Sequence, residues 1–168
     1  MPFPLVMFAI FVMSIMVMSP SSQPSAADAS HQKLFAITKI TDADSLRSGE
    51  IRIRLHGIDA PEMKQLCEDK EGQTYRCGLQ ARNYLVKLIG KGAELACDHL
   101  DTDRYGRLVM RCYHQGIDIS AALVRSGWAL AYRRYAKDYI ADERDAKMKN
   151  AGMHQGRFEA PWDWRRQN

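Results

Sequence analysis

The sequence has no C-x-x-C pair, no internal repeat, no low-complexity array and no long apolar run beyond its first eighteen residues. Each absence excludes something. Four widely spaced cysteines, Cys67, Cys77, Cys97 and Cys112, do not read as a zinc site or a thioredoxin-like motif. The five histidines are scattered, which gives a histidine metal site little support. Charge of one sign is scarce as well. A balance of 24 basic and 20 acidic side chains leaves +4, which is compatible with a polyanionic partner without identifying one. No second domain is visible, and 168 residues are enough for one sizeable core.

What is present begins with an uncharged apolar run, Leu5 to Met18. It is short for a membrane span and the right length for the core of a signal peptide. Small residues around Ala27 and Ala29 offer cleavage sites, so residues 1–27 are expected to be a cleaved signal peptide and 28–32 a disordered lead-in. No Lys or Arg precedes Lys33, which departs from the usual pattern, and an uncleaved anchor is the alternative. An even cysteine count behind such a segment favours disulfides and an exported protein, periplasmic or secreted. Three pairings are formally possible. Cys97 and Cys112 sit almost symmetrically about a hairpin tip, and Cys67 and Cys77 bracket a loop, so Cys67–Cys77 and Cys97–Cys112 are expected.

The domain is expected over 33–168. Leu34 to Ile40 reads as a first strand, Asp42 to Ser45 as a turn, and Ser48-Gly49 as a hairpin connection. Met63 to Arg76 reads as an irregular loop. Ala81, Leu85, Leu88 and Ile89 recur at helical spacing, and Gly90 and Gly92 stop that helix. Strands are expected at Ala93–Cys97 and Leu108–Tyr113, with a polar loop His99–Arg107 between them. Asp118 can cap a short helix ended by Gly127, and Trp128 to Tyr132 reads as a strand. A charged helix follows over about Tyr139–Ala151, with a thin stripe of Ile140, Ala141, Met148 and Ala151. Pro161-Trp162-Asp163-Trp164 is expected to anchor the tail by packing.

The most informative stretch is Arg54-Leu55-His56-Gly57-Ile58-Asp59-Ala60-Pro61-Glu62. It opens in alternation, with Ile51, Ile53 and Leu55 on one face and Arg52, Arg54 and His56 on the other, as in a half-buried strand. The strand then delivers a guanidinium and two carboxylates to one end. Alone, Asp59-Ala60-Pro61-Glu62 also fits a helix capping box. Asp42-Ala43-Asp44-Ser45 upstream and Asp103-Arg104-Tyr105-Gly106-Arg107 downstream shift the balance.

Together these three segments resemble the staphylococcal nuclease family, from about Phe35 to the C-terminus. The resemblance implies an α+β fold, a five-stranded OB-fold β-barrel with three helices. It also implies a monomeric, calcium-dependent nuclease acting on DNA and RNA. Asp44 and Asp59 match the calcium carboxylates, with the Ala60 carbonyl as a further ligand; Ca²⁺ takes such hard oxygen donors. Arg54 and Arg107 match the phosphate-binding arginines, and Glu62 the general base that activates the attacking water. Asp42 is expected behind the ligands. The family usually has Gly where this chain has Ala43, so a positive φ there would be strained. Ala60 replaces a Thr and keeps only a carbonyl. Tyr105 and Tyr132 fit either base stacking or packing at the barrel rim. A non-catalytic OB-fold module that binds nucleic acid or another partner is the alternative function.

Overall fold

The computed structural model describes residues 32–168. The expected signal peptide lies outside them, as does the lead-in up to residue 31. The chain runs β1 (Lys33–Ala36), β2 (Lys39–Ile40), β3 (Ser45–Ser48), β4 (Ile51–Leu55), β5 (Ile58–Asp59), β6 (Cys67–Glu68) and β7 (Thr74–Tyr75). It continues through α1 (Cys77–Ile89), β8 (Glu94–Thr102), β9 (Leu108–His114), β10 (Ile117–Asp118) and α2 (Ile119–Arg125). Then come β11 (Leu130–Ala131), α3 (Ile140–Met148), a 3₁₀ turn Gly152–Gln155 and α4 (Pro161–Gln167).

The main sheet has the order β1-β8-β9-β4-β3-β2, with β10 on β9. Its β4–β9 ladder is parallel and the others are antiparallel. The expected first strand is interrupted, and the reason is a change of partner. β1 pairs with β8 and β2 with β3, while between them Ile37 N–H donates to Ala93 O and Thr38 N–H to Arg47 O. One bent run therefore joins the two edges of the sheet. Counted as a single strand, it leaves five strands around the curl, as the α+β OB-fold expectation requires.

The apolar faces of these strands bury Leu46, Ile53, Leu55, Leu95 and Met110. α1 adds Ala81, Leu85 and Ile89, at the spacing of one helical face, and α2 adds Ile119, Leu123 and Val124. Asp118 caps α2 by accepting the Ala121 N–H at 3.0 Å. A second cluster of Cys67, Cys77, Leu130 and Met153 lies under the tail, where Phe158, Ala160 and Trp162 pack on it. Both expected disulfides are present, Cys67–Cys77 and Cys97–Cys112. Cys97 and Cys112 are direct partners across β8 and β9.

Several local expectations change. The stretch after Glu62 contains the short hairpin β6–β7. β8 extends to Thr102, so the loop before Arg107 is shorter than expected. The strand expected at Trp128–Tyr132 is only β11. Of the expected apolar stripe on α3, Ile140 packs against the core, but Ala141 and Met148 are exposed and the buried residues are Glu143 and Ala146. Ala43 is fully buried at a φ that is not positive, and no strain arises there. No helix starts at Asp59, so the capping-box reading fails; the next helix is α1, from Cys77. A fourth helix, α4, forms in the tail with Pro161 at its first position.

Candidate active site

Sheet register builds the site. Ser45 on β3 is the direct partner of Arg54 on β4, and Arg54 is in turn opposite Val109 on β9. Asp44, immediately before β3, and the loop before β9 are thus brought to the end of β4 that carries Arg54. Gly57 then turns the chain at φ +72°; a Cβ there would meet the Tyr139 ring at 2.9 Å, so the turn needs glycine on two counts. Past the turn, β5 pairs with β11, Asp59 opposite Leu130.

Arg54 is the hub. Its Nη1 pairs with Asp44, its Nη2 donates to Asp59 Oδ1 at 2.8 Å, and the same nitrogen reaches the Ile58 carbonyl at 3.1 Å. Asp44 also accepts the Ala60 N–H at 2.8 Å and the Ser45 hydroxyl at 3.0 Å. Ser45 Oγ lies 3.4 Å from Arg107 Nη1. Arg107 is aimed by Asp103, whose two oxygens accept its Nε–H at 2.7 Å and its backbone N–H at 2.9 Å. Asp42 stands behind the cluster and accepts the Asp44 N–H at 3.2 Å.

One contributor was absent from the sequence-based set. Arg165 on α4 forks onto Asp59, with Nη2 to Oδ2 at 2.7 Å and Nη1 to Oδ1 at 3.2 Å, and the same Nη1 reaches Glu62 Oε1 at 2.8 Å. The tail thereby connects Glu62 to the other residues. Arg107, Ser45, Asp44, Arg54, Asp59, Arg165 and Glu62 form one unbroken contact chain. Glu62 is held from the backbone side too: its N–H donates to the buried Gln65 side chain, which donates to the Glu159 carbonyl at 2.7 Å. No motif or period in the sequence signals Arg165, whose partners are more than a hundred positions away.

Burial and mutual repulsion set the charge states. Asp42 is pushed up to about 8 by burial, reinforced by the neighbouring Asp44 carboxylate. Burial acts most strongly on Asp44, in the same direction, but Arg54 together with hydrogen bonds from Asp42 and the Ala60 N–H holds Asp44 below the usual carboxylate range. Asp59 is raised by burial and by the Asp44 charge, against the pull of Arg165 and Arg54. Asp44, Asp59 and Glu62 face two guanidiniums, Arg54 and Arg165, because Arg107 is engaged by Asp103. The centre therefore carries a surplus of carboxylate oxygen, a donor chemistry that fits a hard divalent cation such as Ca²⁺. Among the described residues, no three His, Cys, Asp or Glu side chains converge as a ready-made shell. Asp44 and Asp59 are instead held to either side of Arg54.

The two tyrosines differ. Tyr105 is exposed, with Arg104 and Arg107 4.9 and 5.7 Å from its ring centre. Tyr132 has one face stacked on Trp162, with ring centres 5.4 Å apart, so packing accounts for that face.

The family model described as "Staphylococcal nuclease homologue" matches residues 52–155. A "Probable staphylococcal-like nuclease" of Oryza sativa subsp. japonica is 36% identical over 126 residues, covering 73% of this chain and 30% of the relative. An "Uncharacterized endonuclease" of Haemophilus influenzae is 32% identical over 139 residues, covering 78% and 72%. A "Micrococcal nuclease" of Shigella flexneri is 31% identical over 148 residues, covering 77% and 79%. The chain thus spans less than a third of the rice protein and most of the two bacterial ones. It belongs to the staphylococcal nuclease family.

Proposed function

We propose that the protein is a calcium-dependent nuclease that hydrolyses phosphodiester bonds of DNA and RNA, acting as an exported monomer. The observation that carries this reading is the contact chain that gathers Asp44, Arg54, Asp59, Glu62 and Arg107 at one end of the barrel. The micrococcal nuclease and endonuclease relatives support the same reading. Asp44, Asp59 and the Ala60 carbonyl are the oxygen donors that would hold Ca²⁺. Bound there, the ion would supply positive charge to the phosphate and orient a water for attack.

The chain's own residues do the rest. Arg54 and Arg107 present forked donors to the phosphate oxygens, where negative charge grows as the attacking oxygen adds. Asp103 aims Arg107 without lying on Asp44 or Asp59, so the arginine can engage phosphate independently of the carboxylates. Glu62 takes the proton from the attacking water. Its carboxylate is partly exposed, as a group that exchanges protons with solvent must be. Tyr105 is exposed beside Arg104 and Arg107, a place from which it could stack on a base. Export is supported by the two disulfides, which persist in oxidising compartments. Among the described residues, no helix is long and apolar enough to cross a membrane.

The test is cleavage of single-stranded DNA and of RNA by the purified protein, with calcium and with a chelator in excess. Cleavage that requires calcium supports the reading. Strand binding without cleavage in either condition would leave a non-catalytic OB-fold module instead.

A further inference from the structure

We infer that Arg165 is a built-in competitor of the cation: the C-terminal helix places a guanidinium on the carboxylate oxygens of Asp59 and Glu62, and calcium must displace it. The inference rests on the reading of Asp59 as a metal ligand. Asp59 is fully buried and its two oxygens already receive three guanidinium contacts, one from Arg54 and two from Arg165. Those contacts fill three of the about four acceptor sites of the carboxylate, and a cation on the remaining one would stand against the Arg165 guanidinium charge, so cation and guanidinium compete for Asp59.

Which arginine yields follows from how each is held. Arg54 sits mid-sheet with its side chain 14% exposed, and it also grips Asp44 and the Ile58 carbonyl. Pulling it away would take the guanidinium from buried Asp44 as well as from Asp59, and with it the N–H donor to the Ile58 carbonyl, which is strongly unfavourable. Arg165 is 38% exposed and lies on a seven-residue helix at the end of the chain. Among the described residues its acidic partners are Asp59 and Glu62 alone, and its released head would enter water. Arg165 is therefore the displaceable one.

The contact has a consequence for Glu62. While Arg165 holds its Oε1, that oxygen already accepts an N–H donor, and the guanidinium occupies the place from which a water would approach it. Displacement by calcium frees it. Metal binding and release of the proposed base are thus one event, and they are linked reciprocally: whatever weakens the Arg165 contact must tighten calcium.

Calorimetric titration of the full-length protein with calcium tests this, on the parent, Arg165→Gln, Arg165→Lys and Arg166→Gln. Arg166 sits on the same helix but, among the described residues, pairs with Asp163 alone, so it controls for a mere change in net charge. Arg165→Gln is expected to bind calcium about tenfold more tightly than the parent, the scale of one charge-assisted contact. Arg165→Lys, which keeps the charge but loses the fork, is expected to fall between them, and Arg166→Gln to match the parent. Calcium should also raise the melting temperature of Arg165→Gln more than that of the parent. Unchanged or weaker calcium binding by both Arg165 variants would overturn the inference, as would equal tightening by Arg166→Gln. Failure of the parent and every variant to bind calcium would instead overturn the metal-ligand reading, and this inference with it.

Discussion

Gly78, in the first turn of α1, lies against the backbone of Glu62 so closely that a Cβ at position 78 would stand 1.8 Å from the Glu62 carbonyl oxygen. Glycine inside a helix ordinarily costs about 1 kcal/mol relative to alanine. Here it permits the helix to serve as the wall behind the proposed base. The Cys67–Cys77 disulfide closes the same corner, one residue away.

Gly78→Ala should therefore fail in a characteristic way. The added methyl meets backbone, which cannot move aside as a side-chain tip can. Stability is expected to drop by about 2–3 kcal/mol, the cost of overpacking a tight interior. Cleavage by the folded fraction should fall as well, because Glu62 is displaced. Thermal unfolding and single-strand cleavage on one preparation check both. A variant with parental melting and rate would show that the contact positions nothing.

Metal binding and phosphate binding should separate by mutation. Asp44→Ala removes a proposed ligand and should weaken calcium directly. Arg107→Ala touches neither Asp44 nor Asp59, so calcium affinity should stay within about twofold while turnover falls by about 10²–10³, the usual loss of a transition-state donor. Calorimetry and cleavage on both variants decide. Parental calcium binding by Asp44→Ala, or parental cleavage by Arg107→Ala, contradicts the assignment.

Glu143 makes the acid side of the stability profile testable. Its carboxylate accepts the Ala131 N–H at 3.3 Å, Arg133 at 2.7 Å and Lys147 at 3.0 Å. Burial acts to raise it, but Lys147 and Arg133 outweigh that and hold it below its ordinary value of 4.5. A depressed folded value means the contribution is present above the unfolded value and lost as pH falls through the folded one. Glu143→Gln should be less stable than the parent by about 1–3 kcal/mol at pH 7. The gap should shrink on acidification below 4.5. Melting curves across that range check it, and a gap that widens on acidification would refute it.

The parts legible in the sequence were those governed by local pattern. Alternation at Ile53 and Leu55 gave β4, helical spacing at Ala81, Leu85 and Ile89 gave α1, and near-symmetry about a hairpin gave Cys97–Cys112. The site residues were nameable because three short motifs carried them, and register then joined Ser45 to Arg54. What stayed hidden depends on partners distant in the chain. Ile37 and Thr38 end one ladder and begin another, which no propensity records. Glu143 stands among the other charges of that helix in sequence, and its burial comes from packing beneath β11 rather than from its neighbours in α3. Nothing beside Arg165 in the chain marks it, since its partners are Asp59 and Glu62.

The most direct measurement is the cleavage rate of Glu62→Gln on single-stranded DNA with calcium, read beside thermal unfolding of the same preparation. Gln keeps the size and polarity of the side chain but cannot accept the water proton. The account predicts a loss of about 10²–10⁴ in turnover, the share of general-base catalysis, with a melting temperature close to the parent's. Parental cleavage by a normally folded Glu62→Gln would contradict it.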